Sequence, residues 1–199
     1  MQSTPINAPL QVSAAMVSPI RLAHVVMRSS QFDELVAWYQ AVLNANVVFS
    51  DGAIAFLAYD EEHHRIAIIR VPGLRPQPSG QAGVHHIAFT YAALGDLVAT
   101  YERLDRLGIH PVWCVNHGPT TSMYYADPDG NQVELQVDNY ATVEEAGAFF
   151  HTSAFALNTI GIDFDPADLA RRFLAGEDES SLKMRPHGGA RGVDTIPLR

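Results

Sequence analysis

The sequence holds a single cysteine, Cys114, in 199 residues. One thiol excludes an internal disulfide and any zinc centre built on cysteines, and it suits a reducing compartment better than a secreted, disulfide-stapled scaffold. Positive charge is also scarce. Thirteen Lys and Arg stand against 22 Asp and Glu, a formal net charge of −9, which is the wrong sign for a surface that tracks phosphates. No stretch approaches the ~18 consecutive apolar residues of a membrane span, and the first 19 residues lack the basic start and apolar run of a signal peptide. The expectation is a cytoplasmic protein with no membrane and no nucleic acid among its partners. A Gly-rich phosphate loop and a nucleophile elbow are missing too. What is present is 47% hydrophobic residues, enough for the core of one ordinary domain, and nine histidines whose positions carry the information.

Residues 1–19 contain three prolines and no sustained period of 2 or 3.6, and they read as a flexible arm. From Ile20 the chain repeats itself. At an offset of 62 residues Leu22 to Met27 (LAHVVM) lies over Val84 to Phe89 (VHHIAF), Glu34-Leu35-Val36-Ala37 over Asp96-Leu97-Val98-Ala99, Tyr39 over Tyr101, and Val47 over Ile109. In each copy a β-branched apolar run reads as a strand. A 3.6-residue apolar period follows, such as Leu94, Leu97, Val98, Tyr101 and Leu104, and reads as a helix. Further strands are expected at Ala53 to Tyr59 and Arg65 to Arg70 in the first copy, and at Pro111 to Asn116, Ser122 to Tyr125 and Gln132 to Val137 in the second. Asp127-Pro128-Asp129-Gly130 is a turn, because Pro presets φ and Gly permits a positive φ. Each copy is therefore a β-α-β-β-β unit, module one over residues 20–71 and module two over 83–138, joined by the Pro- and Gly-rich linker from Val71 to Ala82. The fold class expected is α+β, with the two tandem modules forming a cupped mixed sheet around a concave site.

Residues 139–199 lie outside the repeat and read as a helical extension and tail. Glu144 to Phe150 forms a short helix, and Asp165-Pro166 opens another that runs through Phe173, with Asp as N-cap and Pro in the first turn. Phe149, Phe150, Phe155, Leu157, Ile160 and Ile162 are too many apolar residues to leave in water. They are expected to cover an edge of the module pair or to meet a second subunit, and a homo-oligomer is the expectation.

His24 and His86 fall at the same place in the two copies, each in the first strand of its module, and should face one another across the pseudo-symmetric centre. A lone strand histidine is usually a hydrogen-bonded core or surface residue; two at repeat-related positions point to more. Glu134 lies in the last strand of module two. Alternation puts it with Gln132 and Gln136 on one face, opposite Val133, Leu135 and Val137, and that strand alone would read as a solvated polar face.

The wider string changes this reading. Val115-Asn116-His117, five residues, Met123-Tyr124, two residues, Asp127-Pro128-Asp129-Gly130, three residues and Glu134 resembles the signature of the type I extradiol ring-cleavage dioxygenases. These belong to the vicinal oxygen chelate superfamily, with glyoxalase I, methylmalonyl-CoA epimerase and bleomycin-resistance proteins. The likeness spans Ile20 to Asp138 and is greatest to small, single-domain members of the biphenyl-2,3-diol dioxygenase kind. It implies a metal held by His24, His86 and Glu134, a two-His-one-carboxylate triad that suits non-haem Fe(II), with Mn(II) as the alternative ion. It implies a catechol-type aromatic diol and O2 as the small-molecule partners. It also gives His117 the role of exchanging a proton with substrate or oxygen, and Tyr124 that of hydrogen-bonding a substrate oxygen.

One departure is visible. Two-domain members carry a further proton-transfer histidine upstream of the second metal ligand, and the stretch Val71 to Val84 has none. His85 is expected to point to the opposite face from His86; His63 and His64, in the Asp60 to Arg65 turn, read as surface, as does His110. Trp38 reads as core, Trp113 as core or pocket lining, and Cys114 as a buried thiol. Two other readings compete. A glyoxalase-like enzyme would use the same metal for proton abstraction, but the repeat sets Ala67, which cannot bind metal, opposite Glu134; an epimerase can use two His and one Glu, but does not explain the His117 and Tyr124 string. A metal-free drug-sequestering protein would have no use for three competent ligand residues.

Overall fold

The computed structural model describes residues 17–75 and 81–197. Most of the expected N-terminal arm, and the centre of the linker, lie outside these residues. Module one is β1 (Val25–Ser29), α1 (Phe32–Leu43), β2 (Asn46–Ser50), β3 (Ile54–Ala58) and β4 (Ile66–Arg70). Module two is β5 (His86–Tyr91), α2 (Leu94–Arg106), β6 (Trp113–Asn116), β7 (Thr120–Ala126) and β8 (Gln132–Asp138). Two tandem β-α-β-β-β modules are thus present. β2 completes the first of them and was not delimited by periodicity, because its five residues are exposed on both faces and show no alternation.

The helices form for the reason their periods suggest. α1 buries Phe32, Leu35, Tyr39, Val42 and Leu43, and α2 buries Leu94, Leu97, Val98 and Leu104, in each case a stripe that faces its own sheet. Together with Leu57, Ile66, Ile68, Met123, Tyr125, Val133 and Leu135 these residues make one continuous apolar core. α1 ends at Asn44, whose backbone is left-handed with φ +51°.

The strands form two open sheets. One has the order β1-β4-β3-β2 and the other β5-β8-β7-β6-β9, where β9 (Ile162–Asp163) comes from the C-terminal segment. Each is mixed, with parallel β1–β4 and β5–β8 pairs beside antiparallel ones. The single cupped sheet expected from the repeat is not what one chain forms; among the described residues no ladder joins the modules. The linkage is by side chains instead. Gln31 donates to the Pro128 carbonyl at 2.8 Å and to Asp129 at 3.0 Å, Arg103 donates to the carbonyls of Ala41 and Val42, and Tyr39 donates to Asp127 at 3.2 Å.

Beyond module two come α3 (Val143–Phe149), α4 (Ser153–Leu157), β9, α5 (Pro166–Leu174) and α6 (Glu179–Lys183). Thr142 and Glu145 form a reciprocal capping box on α3, and Asp165 caps α5 with Pro at its first turn, as the residue types dictate. α5 lies on α2 so closely that a Cβ on Gly95 would come within 3.0 Å of the Phe173 ring. Among the described residues no helix is long and apolar enough to cross a membrane.

The β7–β8 turn is held by Asp127. Its carboxylate is 5% exposed and accepts from the backbone N–H of Asp129 and Asn131, from the Asn131 amide and from Tyr39. Burial pushes its pKa above the ordinary value, and the Asn131 and Tyr39 hydrogen bonds counter that. Asp127→Ala strips several buried donors of one acceptor, each worth ~1–3 kcal/mol when left unsatisfied. A loss of about 3 kcal/mol is expected, a fall in Tm of roughly 6–12 °C for a chain of this size, measurable by circular dichroism.

Cys114 is 7% exposed, and its burial, with Asp165 and Asp163 nearby, pushes the thiol up to about 12. The native protein is therefore expected to resist iodoacetamide at pH 8 and to react once unfolded in guanidinium. Rapid native labelling by mass spectrometry would contradict this.

Candidate functional site

The site is built on the second sheet. Parallel pairing of β5 with β8 sets His86 beside Gln132 and Ala88 beside Glu134, and antiparallel pairing of β7 with β8 sets Tyr124 directly opposite Glu134. The even-numbered residues of β5, β7 and β8 therefore share one face, opposite the face that packs on α2. On that face His86 Nε2 lies 3.0 Å from Glu134 Oε2, and His117 Nε2 lies 4.0 Å from Glu134 Oε1. Tyr124 and Ser122, on the same face, lie beside the Glu134 carboxylate and act on its ionisation.

Glu134 is only 4% exposed. Burial on its own would raise its pKa, but hydrogen bonds from His86 and Ser122 and the charges of His86 and His117 outweigh it, and the carboxyl sits below its ordinary value. Burial pushes the Tyr124 phenol upward, and the adjoining carboxylate adds to this. Burial likewise pushes His117 below the usual histidine value, against the Ile160 hydrogen bond and Glu134. At neutral pH the cluster thus holds an ionised carboxylate, a protonated phenol and a neutral imidazole.

The His117 tautomer follows from its partners. Nδ1 is hydrogen-bonded to the Ile160 carbonyl, which can only accept, so Nδ1 carries the proton and Nε2 presents its lone pair to the Tyr124 hydroxyl 3.0 Å away. The Ile160 carbonyl reaches the ring because Gly161 packs on β6 with φ +132°, where a Cβ would come within 2.5 Å of the Asn116 carbonyl oxygen. Trp113 stacks on Tyr124 with ring centroids 4.7 Å apart, and its indole N–H donates to Asp163 at 2.8 Å. Ile160, Asp163 and Ser122 are contributors that spacing could not single out, since two come from outside the repeat and the third has a side chain common on any strand.

Of the five residues the sequence singled out, the structure brings together His86, Glu134, His117 and Tyr124. His24 is elsewhere. It precedes β1, where a place inside the first strand was expected, and its exposed ring lies 4.4 Å from that of His64. The cause is local: Arg65, ion-paired with Asp60, donates to the carbonyls of Leu22 and Ala23 and draws the approach to β1 onto the β3–β4 turn. His64, read as surface, is half-buried and also stacks on Phe56 at 4.5 Å. His63 and His110 are exposed, as expected. Among the described residues no three His, Cys, Asp or Glu side chains are placed to hold one metal ion.

The registers make the two open faces direct counterparts. In module two Ala88 pairs with Glu134, Glu134 with Tyr124, and Tyr124 with Trp113; in module one Val26 pairs with Ala67, Ala67 with Phe56, and Phe56 with Phe49. Ala67 is thus the counterpart of Glu134, and Phe56 and Phe49 are those of Tyr124 and Trp113. One face is polar and reactive; the other is apolar, with Val26 50% and Phe49 48% exposed.

Comparison with known proteins agrees with this architecture. The chain is 44% identical over 162 residues to biphenyl-2,3-diol 1,2-dioxygenase 2 of Rhodococcus globerulus, covering 81% of this chain and 85% of the relative. It is 46% identical over 167 residues to biphenyl-2,3-diol 1,2-dioxygenase 3 of the same organism, covering 83% and 88%. A solved glyoxylase/bleomycin resistance protein/dioxygenase domain from Frankia sp. superposes with a TM-score of 0.51 at 17% identity, covering 61% of this chain and 99% of that one, which speaks to the fold alone. The family profile itself matches residues 21–135, and the chain belongs to the glyoxalase/bleomycin resistance protein/dioxygenase superfamily.

Proposed function

We propose that this protein is an extradiol ring-cleaving dioxygenase, an oxidoreductase that takes a catechol-type aromatic diol and O2. The observation that carries the reading is the convergence of His86, Glu134, His117 and Tyr124 on one face of the second sheet. The two curated relatives support it, each above 40% identity over more than four fifths of this chain. Their names describe cleavage between ring carbons 1 and 2 of a 2,3-diol, a bond outside the diol itself. In that reaction the carbon–carbon bond beside the hydroxyls breaks and both oxygen atoms enter the product.

The chain's own groups suit the proton traffic of such a reaction. His117, neutral and fixed by the Ile160 carbonyl, has an unprotonated Nε2 that accepts the Tyr124 hydrogen bond and can instead take a proton from the substrate. When Nε2 carries that proton it becomes the donor to the Tyr124 oxygen, and the phenol turns its own proton to Glu134. The two arrangements differ by one proton and need no movement of the backbone. His117 thus stands in for the upstream histidine that this sequence lacks. Trp113, half-buried and stacked on Tyr124, offers an aromatic surface for a ring.

The cofactor in this reading is Fe(II), with Mn(II) as the alternative, on His24, His86 and Glu134. The donor set of one chain does not fit that ion as it stands. His86 and Glu134 meet, His24 does not, and two donors are too few for a site that holds its metal while leaving positions open. A glyoxalase-type centre with a fourth ligand from module one fits less well, because Ala67 occupies the position of that ligand.

The test is oxygen uptake with biphenyl-2,3-diol and simpler catechols after anaerobic loading with Fe(II). One O2 consumed per diol and a yellow ring-opened product are expected; no uptake with any diol, from a folded and iron-loaded protein, would defeat the reading. Tyr124→Phe and His117→Ala are expected to keep diol binding and to slow turnover by on the order of 10²-fold, the scale of one positioned proton donor or acceptor. Unchanged turnover in both would remove them from the chemistry.

A further inference from the structure

The chain carries 13 Lys and Arg against 22 Asp and Glu, and most of those cations have partners. Arg65, Arg70, Arg172 and Arg191 are paired with carboxylates, while Arg103 and Arg185 donate to backbone carbonyls. Arg28, Arg75 and Arg106 differ. Among the described residues none of these three has a hydrogen bond, an ion pair or a ring contact. Every Asp and Glu of the sequence lies within the described residues, so no such side chain is left to neutralise them from elsewhere in the chain.

Two of the three share one cavity. Arg28, at the end of β1, and Arg75, in the stretch that leads away from module one, both line a cleft of about 520 Å³. The cleft lies between β1 and β5, each the edge strand of its sheet. Its volume suits a small organic molecule. Val26, Val84 and Ile87 give it an apolar wall, and His86 lines it as well. The same His86 ring lies 3.0 Å from Glu134, so the cleft adjoins the reactive face through that residue. Asp129 is the one carboxylate in the wall; it accepts from the Gln31 amide at 3.0 Å and is not paired with either guanidinium. Two unneutralised guanidiniums beside apolar surface fit a small organic carboxylate, which arginine binds through charge-assisted hydrogen bonds. In a chain of net charge −9, a local cationic spot of this kind is where such an anion collects.

We propose that the cleft between β1 and β5 is a carboxylate subsite that takes the ring-opened acid as it leaves the reactive face. The inference rests on the ring cleavage proposed above. In that reaction both atoms of O2 enter the diol, and the bond between one hydroxyl-bearing carbon and its ring neighbour breaks. The hydroxyl-bearing carbon becomes a carboxylic acid, the neighbour becomes a carbonyl, and the second hydroxyl stays as an enol. O2 supplies the whole oxidation, so no other reactant is required. At neutral pH the acid loses its proton, and a neutral diol has become an anion. Arg28 and Arg75 therefore distinguish product from substrate by charge, and the apolar wall receives the unsaturated chain.

Hexa-2,4-dienoate is the probe: an unbranched conjugated carboxylate with no diol for ring cleavage to consume, its amide serving as the neutral control. Each is titrated calorimetrically into the full-length protein at low salt. One dienoate per chain is expected, with the amide at least about tenfold weaker and the dienoate about tenfold weaker on Arg28→Ala/Arg75→Ala. Added salt is expected to weaken the dienoate and not the amide. No dienoate binding, equal affinity for acid and amide, or a double variant that binds the dienoate as well as its parent would each overturn the subsite. The comparison of acid with amide uses the unmodified chain, so it decides the matter even if the double variant folds poorly. During turnover the ring-opened acid is expected to inhibit, with an inhibition constant about tenfold higher in the double variant; an unchanged constant would overturn the product as its ligand. The two readings fail separately. Oxygen uptake with diols in a protein that binds no dienoate defeats the subsite alone. Dienoate binding that needs the two arginines, in a folded, iron-loaded protein that consumes no oxygen with any diol, leaves the carboxylate site standing and defeats ring cleavage.

Discussion

A carboxylate at 4% exposure costs several kcal/mol of desolvation unless its oxygens are paired, and Glu134 is in that position. Its partners come from three places on one face: His86 on β5, Tyr124 and Ser122 on β7, and His117 just beyond β6. All depend on register. A slip of one residue in either ladder would turn Glu134 towards the helix side, where Leu135 and Val133 now pack, and leave an unpaired charge in the core. The Asp127 turn guards against that slip, because its carboxylate collects the backbone of the hairpin it closes. The hydroxyl of Tyr39, from α1 of the other module, then bonds the same carboxylate. Pairing one buried charge thus ties sheet register, turn geometry and module docking together.

The duplicated architecture has kept its ladders and divided its chemistry. Val26 pairs with Ala67 as Ala88 pairs with Glu134, so backbone geometry at the two places is the same while the side chains differ in kind. Without a buried carboxylate to satisfy, the first sheet can carry Phe49 and Phe56 where the second carries Trp113 and Tyr124. Phe offers area with no polar atom to satisfy, whereas the Tyr hydroxyl is useful only beside a partner. The apolar face and the polar one thus diverge together at three register counterparts, Ala67 and Glu134, Phe56 and Tyr124, and Phe49 and Trp113.

Much of this was legible in the sequence, and the reasons are local. The 62-residue repeat, the strand alternation around Glu134 and the Asp127 to Gly130 turn are properties of neighbouring residues, and the structure keeps them. β2 escaped because an edge strand exposed on both faces has no period to detect. The position of His24 escaped for a different reason. Repeat logic equates it with His86, yet the surroundings are not equivalent: Arg65 binds the carbonyls of Leu22 and Ala23, and no salt-bridged arginine does the same before His86 among the described residues. Equal positions in a duplicated sequence fix equal backbone registers, but they do not place the two side chains in one site.

The C-terminal segment shows what periodicity alone cannot reach. Ile160 and Gly161 have no signature, and their role depends on contact with β6 more than forty residues earlier. Asn158 holds the bend by accepting from the N–H of Ile160 and Gly161 and donating to the Gly161 carbonyl, while Arg185 donates to the carbonyls of His117 and Asn158. Arg191 adds an ion pair to Asp163, the residue that orients Trp113. Each bond bears on where the Ile160 carbonyl sits, and that oxygen decides which nitrogen of His117 carries the proton. Were Nδ1 the bare nitrogen instead, Nε2 would be protonated in the neutral ring and could only donate to Tyr124. The imidazole could then take no proton from that side. The segment outside the repeat thus sets the direction in which the cluster can move a proton.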